Sequence, residues 1–220
     1  MLKNLVQNPV ILPLTDSLGH ALQCYFASSS SEKQLRAREQ LFGRLFSFLD
    51  NIRSLDNPEI RDRLDFILRL AAPGKMLDLG YYDGMITQEL SRRGYEIIGI
   101  DYIHRNNAAR FDNGNNNIFL TAYAEALPFG DNSFDTVVAS HTLEHVFDIN
   151  ITLAEASRVL KPNGMILAIV PRKIGNKPTH IRDFDSPEKL EDAMSGYFRK
   201  LAYFSRVGEG HAYIGTPNKV

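Results

Sequence analysis

From Gly74 onward the chain alternates short, continuously apolar runs with stretches whose apolar residues recur at helical spacing. "KMLDLG" reads as a buried strand and "MITQELSRRG" as a helix ended by Gly94. "YEIIGID", "NIFLTAYA", "FDTVVASH" and "MILAIVP" read as further strands. "DINITLAEASRVLKPNG" reads as a helix closed by Pro162 and Gly164. Strand–helix alternation of this kind predicts a mainly parallel sheet covered on both faces, which is why its strands need no polar side. The end of the chain has a different rhythm. "SPEKLEDAMSGYF" predicts a helix capped by Ser186 with Pro187 in its first turn, and "KLAYFSRVG" and "HAYIGTP" predict an antiparallel hairpin at the sheet edge.

The first 72 residues read differently. Ser29 and Glu32 have capping-box spacing ahead of a stripe of Leu35, Phe42, Leu45, Phe46 and Leu49. A second helix is expected from Asn57 and Pro58, with Ile60, Leu64, Ile67, Leu68 and Ala71 on one face and Pro73 and Gly74 stopping it. The organisation expected is a helical extension over 1–72 and an α/β domain over 73–220. The second helix is expected to pack on the core. The first is open between packing and a role as a lid or substrate-recognition element.

Composition adds little that is specific. Hydrophobic residues make up 44%, charged residues 23%, and the formal net charge is −1, so no global field draws the protein to nucleic acid or membrane. A single cysteine, Cys24, excludes an internal disulfide and a cysteine-based zinc site. No apolar run reaches the length of a membrane span, and prolines interrupt the apolar N-terminus, so a cytoplasmic protein is expected. Acidic residues dominate from Met76 to Ala154 and basic ones afterwards, which admits a basic rim of Arg172, Lys173, Lys177 and Arg182 around a pocket.

Candidate chemistry lies at the carboxyl ends of the strands, where open parallel sheets bind ligands. "LDLGYYDG" combines a carboxylate, Asp78, with two glycines, Gly80 and Gly84. Asp101 follows about twenty residues on, the spacing at which an acid holds ribose hydroxyls. A glycine loop with a downstream acid also fits a nicotinamide oxidoreductase, but "GYYDGM" does not supply the G-x-G-x-x-G that such an enzyme needs.

The order "LDLGYYDG", "IIGID", "AEALPFGDNSFDTVVASHTLEHV" and "ASRVLKPNGMILAIVP" over Pro73 to Pro171 resembles the class I S-adenosylmethionine-dependent methyltransferases, especially those of the type 11 pattern. The resemblance implies a Rossmann-like α/β fold, here a seven-stranded sheet, mostly parallel with an antiparallel C-terminal hairpin. It implies S-adenosylmethionine as cofactor and methyl transfer to an oxygen or nitrogen of a small-molecule or glycan-type acceptor, with no nucleic acid expected. It places Asp78, Gly80 and Gly84 around the methionine part, Asp101 on the ribose, Ala124 and Glu125 beside the adenine, and Ser140 and His141 beneath the sulfonium. Tyr81, Tyr82 and Tyr102 are grouped with these cofactor positions. The family usually has glycine where Tyr82 stands, often a small residue at Tyr81, and frequently aspartate at Tyr123. A domain that has lost turnover and works as a binding partner is therefore the leading rival. For the chemistry, His141, His145 and His180 are the candidate bases, His141 and His180 foremost, since imidazole titrates near neutral pH. A metal-assisted alternative would use His141, Glu144, His145 and His180. Asp135 is expected to be a structural turn carboxylate, and His20, His104 and His211 surface or loop residues.

Overall fold

The computed structural model describes residues 57–102, 118–172 and 180–219. The serine-led helix with its Ser29–Glu32 box, the asparagine-rich loop, His20, His104, Lys173 and Lys177 lie outside the described residues. Apart from His180, the described residues belong to one compact unit.

Helix α1 (Pro58–Leu70) starts as its sequence dictates: Asn57 Oδ1 accepts the Glu59 N–H at 2.9 Å, and Pro58 occupies the first turn. Its stripe of Ile60, Leu64 and Ile67 is buried. The sheet is built from β1 (Lys75–Leu79), β2 (Glu96–Asp101), β3 (Ile118–Thr121), β4 (Phe134–Ser140), β5 (Leu160–Pro171), β6 (Phe198–Val207) and β7 (Gly210–Pro217). Between them run α2 (Met85–Arg92), α3 (Ile149–Val159) and α4 (Pro187–Ser195).

The strand order is β3-β2-β1-β4-β5-β7-β6. The first five strands are parallel to their neighbours; β7 runs antiparallel between β5 and β6. The expected hairpin is thus present, with its second strand inserted next to β5 and its first at the edge. Strand order reverses between β1 and β4, so a crevice is expected above their carboxyl ends. One core cluster, holding Leu77, Phe134, Val137, Leu153 and Tyr213, covers one face. Another, holding Leu64, Ile67, Met76, Val138 and Leu167, ties α1 and α2 to the opposite face.

One boundary differs from the sequence expectation. Helix α3 ends at Val159, before Pro162 and Gly164, and Leu160 is already extended and paired with Phe134. The register then shifts between Phe134 and Thr136, so residues 161–164 form a bulge rather than a helix end. The bulge is held by Asp135, whose carboxylate accepts from Lys161 Nζ at 2.8 and 2.9 Å and from the Lys75 N–H at 2.9 Å. Asp135 is therefore the structural carboxylate its position implied, its pKa lowered chiefly by the Lys161 hydrogen bond. Lys219 closes the helix end, donating to Arg158 O at 3.0 Å, to Asn132 Oδ1 at 2.6 Å and to Leu160 O.

The loop before β4 is fastened by Arg158. Its guanidinium donates to Glu155, to Asp131 at 2.8 Å, and to the carbonyls of Phe129 (2.8 Å) and Leu127 (3.2 Å). Arg158→Met should remove these charge-assisted bonds and destabilise the fold by roughly 2–3 kcal/mol. Urea unfolding would register it as a lower midpoint at unchanged slope.

Candidate functional site

The loop after β1 folds back on β2. Gly80 and Tyr81 both donate their N–H to Ile100 O, at 2.8 and 3.1 Å, and Gly84 N–H returns to Tyr81 O at 2.8 Å. Gly80 has φ +82, and a Cβ there would stand 2.5 Å from Thr142 Oγ1. That hydroxyl donates to Leu79 O at 2.6 Å, so the β1 and β4 loops meet at a point where only glycine fits.

Tyr82 has φ +53, the left-handed region that disfavours a residue with a Cβ by about 1–2 kcal/mol. The Tyr82 N–H donates to Asp101 Oδ2 at 3.0 Å, which fastens the strained residue to the end of β2. Tyr81 points elsewhere. Its ring is buried, 4.9 Å from that of Phe119, and packs over Gly99, where an added Cβ would sit 3.0 Å from Tyr81 Cβ. Gly99 pairs with Asp78 and Phe119, two residues short of the strand end at Asp101, so the ring lies below the rim of the crevice. Tyr102, just past Asp101, is largely exposed, as is Tyr123.

Three carboxylates are buried around this loop: Asp78, Asp83 and Asp101. Asp78 accepts from Thr87 Oγ1 on α2, and Asp83 Oδ1 accepts the Met85 N–H at the start of that helix. Burial pushes the Asp78 carboxyl up to about 6, and its two acidic neighbours add to the rise. The Thr87 hydrogen bond and the Arg63 guanidinium oppose it. Arg63, from α1, also donates to Ser140 Oγ at 3.1 Å at the end of β4. Sequence reasoning passed over Arg63. A signal was available: Ile60, Arg63, Leu64 and Ile67 occupy i, i+3, i+4 and i+7, so a cation stands in an apolar stripe.

On the β4 side, His141 has φ +56 and donates its N–H to Ile169 O at 2.8 Å. Glu144 is buried, with His141 Nδ1 4.0 Å and His145 Nε2 3.8 Å from its Oε1. Ser140, His141 and His145 are half-buried. Ala124 and Glu125 follow β3, both half-buried; the Glu125 carboxylate accepts the N–H groups of Phe147 (2.8 Å) and Asp148 (3.3 Å) and so braces the loop before α3. His180 is half-buried. One expectation needs correction. His211 is not a surface residue: it is buried in β7, with Nε2 2.6 Å from Phe184 O and Nδ1 2.8 Å from Tyr203 Oη, and burial lowers its pKa. The Arg182 guanidinium is half-buried and donates to the carbonyls of Val146 and Phe147. Arg172 is exposed as expected.

The family described as "Methyltransferase domain" matches residues 77–168. The mitochondrial ubiquinone biosynthesis O-methyltransferase of Bos taurus is 29% identical over 182 residues, covering 68% of this chain and 49% of its own length. The demethylmenaquinone methyltransferase of Tropheryma whipplei is 35% identical over 107 residues, covering 46% of this chain and 43% of its own. The chain thus spans less than half the length of these curated relatives. A solved structure of the Burkholderia thailandensis 1,6-didemethyltoxoflavin-N1-methyltransferase, with its substrate and S-adenosylhomocysteine bound, superposes with a TM-score of 0.66 at 16% identity. It covers 87% of this chain and 93% of that one, a likeness of fold. Among the described residues no helix is long and apolar enough to cross a membrane.

The raised pKa of Asp78 makes a sign-definite prediction. A folded value near 6 against 3.8 for the free group means that the folded state binds more protons between those pH values. Its burial therefore costs stability increasingly as pH rises from about 4 to about 6, and the cost is complete above that, roughly 3 kcal/mol at most. Asp78→Asn should stabilise the protein at pH 7 and leave it nearly unchanged at pH 4. Denaturant melts at the two pH values check this; equal effects at both would contradict it.

Proposed function

We propose that this chain, whose residues 77–168 belong to the methyltransferase domain family, binds S-adenosylmethionine over the β1 and β4 ends and transfers its methyl group to a small-molecule acceptor. The observation that carries the reading is the charge pattern of the crevice: three buried carboxylates gathered around one loop, with the Arg63 guanidinium acting on Asp78. The cofactor carries an ammonium and a sulfonium, both cationic, and one carboxylate. Asp78 and Asp83 suit the cations, and Arg63 with Ser140 suits the carboxylate. Asp101 suits the ribose hydroxyls, because its carboxylate stands at the end of β2 beside the loop and is fixed there by the Tyr82 N–H. Tyr102 and the backbone around Ala124 and Glu125 flank the adenine. The residues present therefore fit the group. Tyr81 lies below the rim, and Tyr82 is held on Asp101, so neither tyrosine argues for a lost site.

The cofactor supplies an activated methyl carbon, and the chain's task is orientation and proton removal. His141 is the proposed base. It sits at the end of β4 in a conformation that points its backbone away from the regular strand path. The buried Glu144 carboxylate beside it stabilises the imidazolium that forms when His141 takes a proton from an O–H or N–H nucleophile. His180 is the alternative base. The acceptor rim carries exposed apolar side chains, Phe147 and Ile181, with the Ile181 N–H tied to Glu144 O and the Arg182 guanidinium beside them. This favours an acceptor with an apolar body over a glycan. The curated relatives named for quinone biosynthesis support that preference.

A second reading, a metal-assisted O-methyltransferase, is favoured by one observation. His141 and His145 each bring a ring nitrogen to within 4.0 Å of the same Glu144 oxygen, a donor set suited to a divalent cation. Transfer that survives EDTA but is lost in His141→Gln supports the base; transfer restored by Mg²⁺ or Zn²⁺ after chelation supports the metal.

Calorimetric titration with S-adenosylhomocysteine should show binding, weakened by about tenfold or more in Asp101→Ala. Affinity should be level above about pH 7 and fall as the solution is acidified through Asp78's pKa near 6, because the neutral carboxyl no longer attracts the ligand ammonium. Asp78→Asn should flatten that profile. No heat and no chemical-shift change at millimolar ligand would sink the proposal.

A further inference from the structure

We infer that the β6–β7 hairpin, at the edge of the sheet, positions Arg63 through helix α1 and so sets the site's grip on the carboxylate end of the cofactor; the cofactor part of this rests on the function proposed above. Arg63 lies between two points at which α1 is pinned to the hairpin. At the first turn, Gly208 has φ +58 and lies against the Glu59 carbonyl, where an added Cβ would stand 3.1 Å from the oxygen. One turn beyond Arg63, the Phe66 ring meets Phe204 of β6 edge-on, with centroids 5.0 Å apart. Leu64 and Ile67 complete the seat, packing in one cluster with Val207, Ala212 and Ile214 of the same hairpin.

The hairpin is thus the surface on which α1 rests, and Arg63 is the side chain that the seated helix presents to the crevice. Its hydrogen bond to Ser140 Oγ, at 3.1 Å, is at the long end of the normal range. A helix shift of a few tenths of an ångström is enough to weaken that bond and the pull of Arg63 on Asp78. Phe204 is 38% exposed, so its ring contributes more to seating the helix than to the central core.

The test uses the full chain and two readouts. The first is the Asp78 carboxyl titration followed by ¹³C NMR, which needs no ligand. Phe204→Ala and Arg63→Ala should each move it to higher pH, and the double variant should match Arg63→Ala alone. Phe204→Tyr, which keeps a ring against Phe66, should restore the wild-type value. The second is the affinity for S-adenosylhomocysteine. Phe204→Ala should weaken it by roughly three- to tenfold, and by less than about twofold in the Arg63→Ala background. Lys219→Met, which lowers stability at the far end of α3, should alter neither readout. An unmoved Asp78 titration in Phe204→Ala overturns the inference, as do losses that multiply in the double variant. Failure of the wild type to bind the ligand overturns the function proposed above, and the titration then still decides whether the hairpin places Arg63.

Discussion

Holding Asp78 inside the protein beside two other carboxylates is the constraint that shapes the site. A buried charge is expensive unless hydrogen bonds and opposite charge compensate it. Here the compensation is divided between Thr87 of α2 and Arg63 of α1, and it is incomplete, since the carboxyl titrates near 6 rather than near 4. The helices on that face of the sheet are therefore more than cover. Each contributes one polar group to a carboxylate that neither touches along the sequence. An unfinished compensation is what a ligand-binding site requires, because a cationic ligand completes it on arrival.

The signature pieces of the chain turn out to do structural work of a different kind. "SFD" and "RVLKPNG" meet through Asp135 and Lys161, which hold the bulge that lets β5 pair with β4 directly after α3. "LPFGD" and "EASRV" meet through Arg158, which gathers Leu127, Phe129, Asp131 and Glu155. Neither cluster lies at the carboxyl ends of β1 and β4. Their effect on function is indirect: they fix the register and starting point of β4, and β4 delivers Ser140 and His141 to the crevice.

Much of this architecture was legible in the pattern of apolar residues. The central strands β1, β2, β4 and β5 are largely buried on both faces and so read as apolar runs, and the caps at Asn57 and Ser186 announce their helices. What escaped was whatever depends on residues distant in sequence. Helix α3 stops before its proline because Leu160 finds a strand partner in Phe134, and periodicity holds no information about that partner. His211 reads as a loop residue beside a glycine turn, yet the insertion of β7 next to β5 buries it against Phe184. The tight loop after β1 was legible in outline from Gly80 and Gly84, and the end of β2 from Asp101. The fates of Tyr81 and Tyr82 were not, because a tyrosine in a tight loop can turn inward or be strained, and only the neighbours decide. Gly99 makes room for the first. Asp101 restrains the second.

Strain is not scattered at random over the described residues. Of three non-glycine residues with positive φ, Tyr82 ends the β1 turn and His141 ends β4, so two stand on opposite lips of the same crevice. Each is held by a hydrogen bond from its own N–H, to Asp101 and to Ile169 O. A domain kept only as a binding scaffold has no need of a strained backbone at the point where two loops approach one another, and relaxing either residue would stabilise it. The strain, together with the buried carboxylate of Asp78, is the physical argument that favours the enzymatic reading proposed above. It places the burden of the rival reading on explaining why two costly features persist side by side.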